Sequence, residues 1–584
     1  MKHLIVCSEY PPARTPPGGI GMYVVHIAKL LATHGETVHV VGPRWEGATK
    51  SVEELCDGRL IVHRVGMDGG EESEASASTA HRLTNREIAS ALRHSDYPPQ
   101  SFSWQSALLI ERLVEREGID VIESQEWEAP LYYFQLRRAL GYGPDRRPPC
   151  IVHLHSPTEF IVRHNEWDEG LPYFVDARRL EAFSIAAADA WLCPSRFLAR
   201  QAEARFELPT GAIQSIPLPI GDSPLLERDP DTWKTGSICY VGRLEPRKGV
   251  IEWVDAAVEV ARHHPRARFD FVGANLNYTN GWTVREYVER RIPEQLKPRF
   301  TFHGSQDREG LFRLLRGARI AVVPSRWENF PNTCVEAMCS GLPVIASRQG
   351  GMAEMVEDGR TGWLAPTADA RGLADALVRA LETQPVRLAE AGMQAAVAIR
   401  TMCENGRIVE RHLEFRARVA RAGASRSLRL PANLPHASAG VALEPERRLG
   451  REPQAAGLAI VVALRASDDL ESCLQGIAVQ TEKPVAVAVV TSDGQGAPPP
   501  TAAASGGAPS WHVIQTTGGV AECWNAGIEA VLSSGARPLA LAFLQPGDVL
   551  APDFAHTALS ILGARDEVGI VSGIVRPAGE DGGH

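Results

Sequence analysis

The feature that most restricts the fold is an alternation. Short apolar runs of strand length and amphipathic stretches of helical length follow one another, and the whole cycle occurs twice. In the first cycle "HLIVCSEY", "TVHVVGP", "IDVIESQE" and "PCIVHLHSP" predict strands. "GMYVVHIAKLLATHG" and "SALLIERLVEREG" predict helices, with Gly35 ending the first, and "RRLEAFSIAAADAWLCPS" predicts a helix and then a strand. After the proline-rich "SIPLPIGDSP" the second cycle predicts the strands "SICYVGRL", "RFDFVGA", "RFTFHGS", "ARIAVVPS" and "LPVIAS". Its predicted helices are "GVIEWVDAAVEVARHH", "DREGLFRLLRG" and "NTCVEAMCSG". Strands that alternate with helices pair in parallel, and a parallel sheet is covered on both faces. The expected fold class is therefore α/β: two Rossmann-like, doubly wound units, 1–215 and 216–421. Both sheets present their strand C-termini to a cleft between the units, where a ligand is expected. A long charged helical stretch from Leu388 to Arg421 is assigned to the second unit.

The rest of the chain is organised differently. Residues 422–456 are rich in Ala, Pro, Gly and Arg without an apolar period, which predicts a linker. A third, smaller α/β segment, 457–584, begins at "GLAIVVALRASDD" and carries the low-complexity loop "GQGAPPPTAAASGGAPS". The polar "GMDGGEESEASASTAHRLTNRE" predicts a solvated surface excursion. At 584 residues the chain is too long for one core. Its formal net charge of -10 argues against a general nucleic-acid binder. No apolar run is long enough to span a bilayer, and "MKHLIVCSEYPP" reads as a buried strand rather than a signal peptide. Ten cysteines without CxxC pairs predict neither a zinc site nor a disulfide framework, which fits a reducing cytoplasm. A peripheral contact with the inner membrane face is compatible with all of this.

The chemistry concentrates in "SRWENFPNTCVEAMCSGLPVIAS", Ser325 to Ser347, where Glu328 and Glu336 lie eight positions apart. The strand before it places Ser325 to Glu328 at a C-terminal sheet edge. Pro331 delays the next helix, which Asn332 or Thr333 is suited to cap and which ends near Gly341. Backbone N–H groups of Asn332, Thr333 and Cys334 at such a helix start attract anions and hydroxyls. Each carboxylate can accept two hydrogen bonds from a vicinal diol, so two carboxylates suit two diols on one ligand. In "YVGRLEPRKG" a strand ends at Gly242, and Arg243 and Lys248 follow. Arg grips phosphate oxygens bidentately and Lys adds a point charge. In "PPGGIGM", Gly18 and Gly19 allow close approach of a backbone to a ligand, although the turn lacks the full dinucleotide fingerprint. Taken one at a time, each feature has a plain structural reading: a solvated helix face, surface charges, a tight turn.

In combination, strand–"GRLEPRKG", "PSRWENFPNTCVEAMCSGLPVIAS", "GGMAEMVEDGRTGWL" and the N-terminal "PPGGIGMYVVHIAKLLATHG" resemble the retaining family 4 glycosyltransferases of the GT-B fold, over roughly residues 1 to 420. The resemblance implies that Glu336 holds the ribose of a nucleotide-diphosphate sugar. It also implies that Glu328 binds the transferred sugar, along with the backbone at Asn329, Phe330, Pro331, Asn332 and Thr333. Arg243 and Lys248 would bind the diphosphate, with Gly19 against the phosphates or the acceptor. His155 of "VHLHSP" matches a histidine that touches the transferred sugar. His153 is the rival, and His155 is preferred as nearer the strand end. No metal or other cofactor is implied, because cations and a helix end replace one. The implied partners are a nucleotide sugar (GDP-mannose or UDP-glucose type) and a carbohydrate or glycolipid acceptor, as in polysaccharide assembly. One departure is "IPLPIGD", which lacks the family's asparagine at the entry to the second domain.

The third segment resembles the nucleotide-binding half of family 2 GT-A glycosyltransferases. Where that family holds a metal on an acidic motif, this chain reads Gln545-Pro546-Gly547-Asp548. The resemblance thus implies a degenerate module without catalysis, suited to a protein partner. A whole chain acting as an inactive assembly scaffold is the alternative to an enzyme. An epimerase or phosphorylase of the same fold is a further one, disfavoured by the intact glutamate loop.

Overall fold

The computed structural model describes residues 1–11, 18–45, 50–66, 85–139, 142–279, 281–424, 457–464, 471–491, 509–516, 520–535, 538, 540–544 and 550–564. Most of the linker, of the polar excursion and of the low-complexity loop lies outside the described residues, as does Gln545 to Asp548. The chain forms two compact units, one holding the first two sheets and the other the third.

The first sheet contains β1 (Lys2–Val6), β2 (Thr37–Pro43), β3 (Val52–Leu55), β4 (Leu60–Val65), β5 (Val121–Gln125), β6 (Cys150–His153), β7 (Ala190–Cys193) and β8 (Ile213–Ser215). Their order is β3-β4-β2-β1-β5-β6-β7-β8, and every pair is parallel except β3–β4. The second sheet contains β9 (Ser237–Val241), β10 (Phe269–Val272), β11 (Phe300–Gly304), β12 (Ala318–Val323), β13 (Val344–Ser347) and β14 (Gly362–Ala365). It runs β11-β10-β9-β12-β13-β14, all parallel, which is the doubly wound order. In each sheet the winding reverses beside the first strand, between β1 and β5 and between β9 and β12. Helices cannot cover the strand ends at that point, so each reversal opens a crevice at the strand C-termini.

The strands read as unbroken apolar runs because both faces are buried. Ile238, Cys239 and Tyr240 of β9 and Ile320, Ala321 and Val322 of β12 are fully covered. Two elements differ from expectation. The hairpin β3–β4 is missing from the sequence reading because β3 is mostly exposed and has no apolar period. The helical stretch assigned to the second unit is two helices, Pro385–Met402 and Asn405–Ala422. The second returns to the first sheet, where Ile408, Phe415 and Val419 pack on Val121, Ile151 and Leu192. Its Arg416 bonds the buried Glu123 of β5 at 2.5 Å. The apolar face of that helix is complementary to the first sheet, and the 216–421 boundary is corrected accordingly.

The other compact unit holds a four-stranded parallel sheet in the order β17-β16-β15-β18. Its strands are β15 (Leu458–Leu464), β16 (Ala486–Thr491), β17 (Ser510–Gln515) and β18 (Ala540–Leu544). No helix among the described residues is long and apolar enough to cross a membrane.

Candidate functional site

The loops that leave β9 and β12 meet at the second sheet's reversal point. After β9 the chain turns through Gly242 and Arg243 into a short 3-10 turn, Pro246–Lys248. Gly249 ends that turn at φ +67°, and a Cβ there would sit 2.0 Å from the Pro324 carbonyl oxygen, so the two loops touch at backbone distance. This contact brings residues some eighty positions apart into one ion cluster. Arg247 donates to Glu328 Oε1 at 2.8 Å, to Glu245 Oε1 at 2.8 Å and to the Trp327 carbonyl at 3.2 Å. The Lys248 ammonium also bonds Glu328 Oε1. Burial by itself would raise the Glu328 carboxyl, but Lys248 and then Arg247 overcome that and hold it at about 2. Arg243 bonds Glu245 Oε1 at 3.1 Å, yet its side chain is 53% exposed, so it can turn to an incoming anion.

Glu336 occupies a different environment. It lies on the helix Asn332–Cys339, half-buried with Arg308 and Cys339 as electrostatic neighbours. Burial pushes its carboxyl up to about 7 against the opposing charge of Arg308. The two glutamates of the motif thus differ in charge state at neutral pH, one fixed as an anion and one poised.

The helix start corrects one expectation. Neither Asn332 nor Thr333 caps it: Pro331 is the capping residue, and its carbonyl accepts from Cys334 N–H at 3.0 Å and Val335 N–H at 3.2 Å. Cys334 N–H is therefore removed from the expected anion site. Asn332 instead reaches the glycine turn, where a Cβ on Gly19 would lie 3.2 Å from Asn332 Nδ2. Gly18, the capping residue of the helix Gly19–Thr33, faces the Glu9 carboxylate, which also accepts from Gly21 N–H at 3.4 Å. An internal carboxylate thus lies beside the turn where the phosphates or the acceptor were expected. Phe330 is a core residue, 7% exposed, so only its backbone is open to a ligand.

The two domains of this unit are clasped beside the cluster. Asn329 is buried and donates through Nδ2 to the carbonyls of Leu154 (3.2 Å) and His155 (2.9 Å), while its Oδ1 accepts from Ser195 Oγ at 2.6 Å. Glu354 accepts from Arg196 N–H (3.1 Å) and Phe197 N–H (2.7 Å), capping the helix Arg196–Arg205 from the other domain. Arg247 N–H donates to Asn165 Oδ1 at 3.1 Å, and Arg326 bonds Glu166 at 2.5 Å.

His155 therefore lies against the Glu328 loop through its own carbonyl. Its ring is buried, its Nε2 has no partner among the described residues, and burial lowers its basicity. His153 sits deeper, with its ring edge-on to Tyr23 at 4.6 Å and its Nδ1 3.5 Å from Glu123. At the first sheet's reversal point, Glu126 accepts the backbone N–H groups of His155 (2.8 Å) and Ser156, and burial raises its carboxyl to about 7. Glu128 and Ala129 follow with left-handed φ of 64° and 44°, a strained turn of the kind that collects at functional sites. A separate concavity of about 740 Å³, lined by Trp282, Arg285, Arg290 and Phe302, lies at the β11 edge of the second sheet. The concavity also carries ionisable side chains, but Arg285 and Arg290 there are exposed; the ion cluster is the better candidate because Arg247, Glu245 and Glu328 are buried and lie at the reversal point between β9 and β12.

The family described as "Glycosyltransferase Family 4" matches residues 17–223, and "Glycosyl transferases group 1" matches residues 235–383. The two matches abut at the domain junction, one on each side of the cleft. The chain is a glycosyltransferase of the GT-B type. Among its relatives is the glycogen synthase of Mycobacterium tuberculosis, 27% identical over 391 residues, which are 65% of this chain and 86% of that protein. Sucrose-phosphate synthase from Thermosynechococcus elongatus shares the fold at a TM-score of 0.55 and 21% identity, over 72% of this chain and 100% of that one. The catalytic domain of starch synthase IV from Arabidopsis thaliana, bound to ADP and acarbose, does so at 0.50 and 16%, over 72% and 99%.

In this transferase the structure brings Glu328, Lys248 and Arg243, named from the sequence, into one cluster. It adds to that cluster Arg247 and Glu245, with Glu9 and the Asn329 clasp nearby, none of which the sequence singled out in those roles. Nothing local to the sequence marks Arg247, because its partner Glu328 lies 81 positions away.

Proposed function

We propose that the transferase moves a hexose from a nucleotide-diphosphate sugar to an acceptor hydroxyl with retention of anomeric configuration and without a metal. The observation that carries this reading is the Glu328–Arg247–Lys248 cluster, with the half-exposed Arg243 beside it, at the crevice between β9 and β12. A diphosphate leaving group needs cations close at hand: Lys248 is held beside Glu328 before the ligand arrives, and the half-exposed Arg243 turns to meet it. Ionised Glu328 accepts hydroxyls of the transferred sugar, and Glu336 accepts the ribose diol. His155, two residues past β6, is the candidate for contact with that sugar across the cleft. The nucleotide diphosphate departs from the face that the acceptor enters, and its leaving oxygen takes the acceptor proton. The C–O bond to phosphate breaks as the new glycosidic bond forms. The starch synthase of like fold is bound to ADP and acarbose, in keeping with a nucleotide donor, and the candidate donors are ADP-, UDP- and GDP-hexoses. The role in polysaccharide or glycolipid assembly, a peripheral membrane contact and a protein partner for 457–584 belong to the same reading.

The test is thermal stabilisation of the full chain by a panel of these nucleotide sugars, with and without EDTA. A ligand that binds only the folded state raises the melting temperature. The reading expects one donor to do so regardless of EDTA, with the effect lost in Arg243→Ala and Glu336→Ala. Stabilisation that requires a divalent metal, or none with any nucleotide, contradicts it.

A further inference from the structure

The segment 165–176, "NEWDEGLPYFVD", leaves the domain junction at Asn165 and Glu166, the residues that bond Arg247 N–H and Arg326. Glu166 is held there at φ +59°, a backbone conformation that a glutamate adopts only under constraint. The large apolar side chains just beyond it are exposed: Trp167 is 38% exposed, Leu171 47% and Tyr173 38%. They are nonetheless ordered by their own packing. Trp167 stacks on Phe174 with ring centroids 5.2 Å apart and planes within 10°, and Tyr173 packs edge-on against the buried Tyr97 at 5.0 Å. Tyr173 also has Glu128 as an electrostatic neighbour, and Glu128 in turn neighbours Glu9. Those two carboxylates follow β5 and β1, so this aromatic group borders the crevice of the first sheet, the partner of the crevice that holds the ion cluster.

Exposed flat rings fixed beside carboxylates suit one class of ligand. A pyranose offers an apolar C–H face that stacks on an aromatic ring and a rim of hydroxyls that donate to carboxylates. The main competitor is an anionic lipid surface. Between Asn165 and Asp176 there are four carboxylates and no lysine or arginine, but Glu166, Glu169 and Asp176 pair with Arg326, Arg178 and Arg179, so charge alone does not decide against such a surface and the vesicle arm of the test does.

We propose that Trp167 and Tyr173 form the acceptor platform of this transferase and that they take a neutral pyranose ring of a glycan acceptor. This rests on the transferase reading of the cleft and adds the acceptor class to it. Because the segment is bonded to Arg247 and Arg326, a seated acceptor is held in register with Glu328.

The test is calorimetric titration of the full chain with neutral gluco-, manno- and galacto-oligosaccharides, without donor. Trp167→Ala, Tyr173→Ala and Trp167→Phe are compared with the wild type. One oligosaccharide series should bind, with affinity roughly five- to tenfold weaker in each alanine variant, as expected for loss of one stacked ring. Trp167→Phe should recover most of it. Stabilisation by the donor nucleotide should be the same in all four proteins, since none of these side chains contacts the ion cluster. Equal oligosaccharide binding by wild type and alanine variants overturns the platform, as does no binding to any series. Sedimentation with phosphatidylcholine–phosphatidylglycerol vesicles that is lost in Trp167→Ala also overturns it. Loss of nucleotide stabilisation in the wild type would instead refute the transferase reading, so the two failures are distinguishable.

Discussion

Replacing Arg247 by methionine isolates the element that holds Glu328 in place. The Arg247 side chain is 4% exposed and joins two carboxylates that are themselves buried, Glu328 and Glu245. Removing it leaves Glu328 with Lys248 alone and Glu245 with Arg243 alone. Stripping a partner from a buried ion pair costs about 3–5 kcal/mol, and because each carboxylate keeps one cation the lower end applies. The Glu328 carboxyl accounts for part of that cost. Burial opposes ionisation of Glu328, Lys248 and Arg247 hold it at about 2, and its ordinary value is 4.5. That difference corresponds to about 3 kcal/mol, of which Arg247 supplies the smaller cationic share. The folded value is depressed, so this stability is present above the ordinary carboxylate range and is lost as pH falls toward 2. In the variant the carboxyl should rise by about one unit. The assay is kcat/KM against pH. Wild type should keep Glu328 ionised down to about pH 3, whereas the acidic limb of Arg247→Met should begin about one unit higher, with a lower Tm. A folded variant whose acidic limb and Tm both match wild type would refute the cluster's role.

Other perturbations test separate parts of the account. Glu336 sits at about 7 in the free protein, and hydroxyls of a ribose bind its anion better than its acid. Donor affinity should therefore tighten as pH rises through 7, and Glu336→Gln should flatten that dependence in a calorimetric titration. Asn329→Ala removes three buried hydrogen bonds across the domain junction, so a loss of about 2 kcal/mol or more is expected in chemical denaturation. Gly249→Ala places a methyl 2.0 Å from the Pro324 oxygen and should lower both Tm and donor affinity, because that carbonyl belongs to the loop that carries Glu328.

The parts of the site that were legible in the sequence depend on chain-local chemistry. Apolar runs on β9 and β12 set two strand ends, and the loops after them must meet wherever the winding reverses. The family resemblance set Glu328 and Lys248 on one ligand, and the observed adjacency of β9 and β12 accounts for their meeting. The unread parts depend on partners distant in sequence. Arg247 in "EPRKG" is indistinguishable from a surface charge until Glu328, 81 positions away, is seen to bond it. Asn329 looks like a ligand residue and is a clasp, because its partners Leu154, His155 and Ser195 belong to the other domain. The helix Asn405–Ala422 shows its apolar face in its periodicity, but periodicity does not say which sheet that face covers. The cap at Pro331 was missed because proline offers no side-chain acceptor, and here a carbonyl serves in its place.

The measurement closest to the central claim follows the anomeric centre itself. The full chain is incubated in EDTA with the nucleotide sugar that stabilises it and an oligosaccharide acceptor, and proton NMR reads both nucleotide-diphosphate release and the anomeric coupling of the new linkage. The account predicts release in the absence of metal and a product with the donor's anomeric configuration. An inverted product, or release that appears only when a divalent metal is restored, would contradict it.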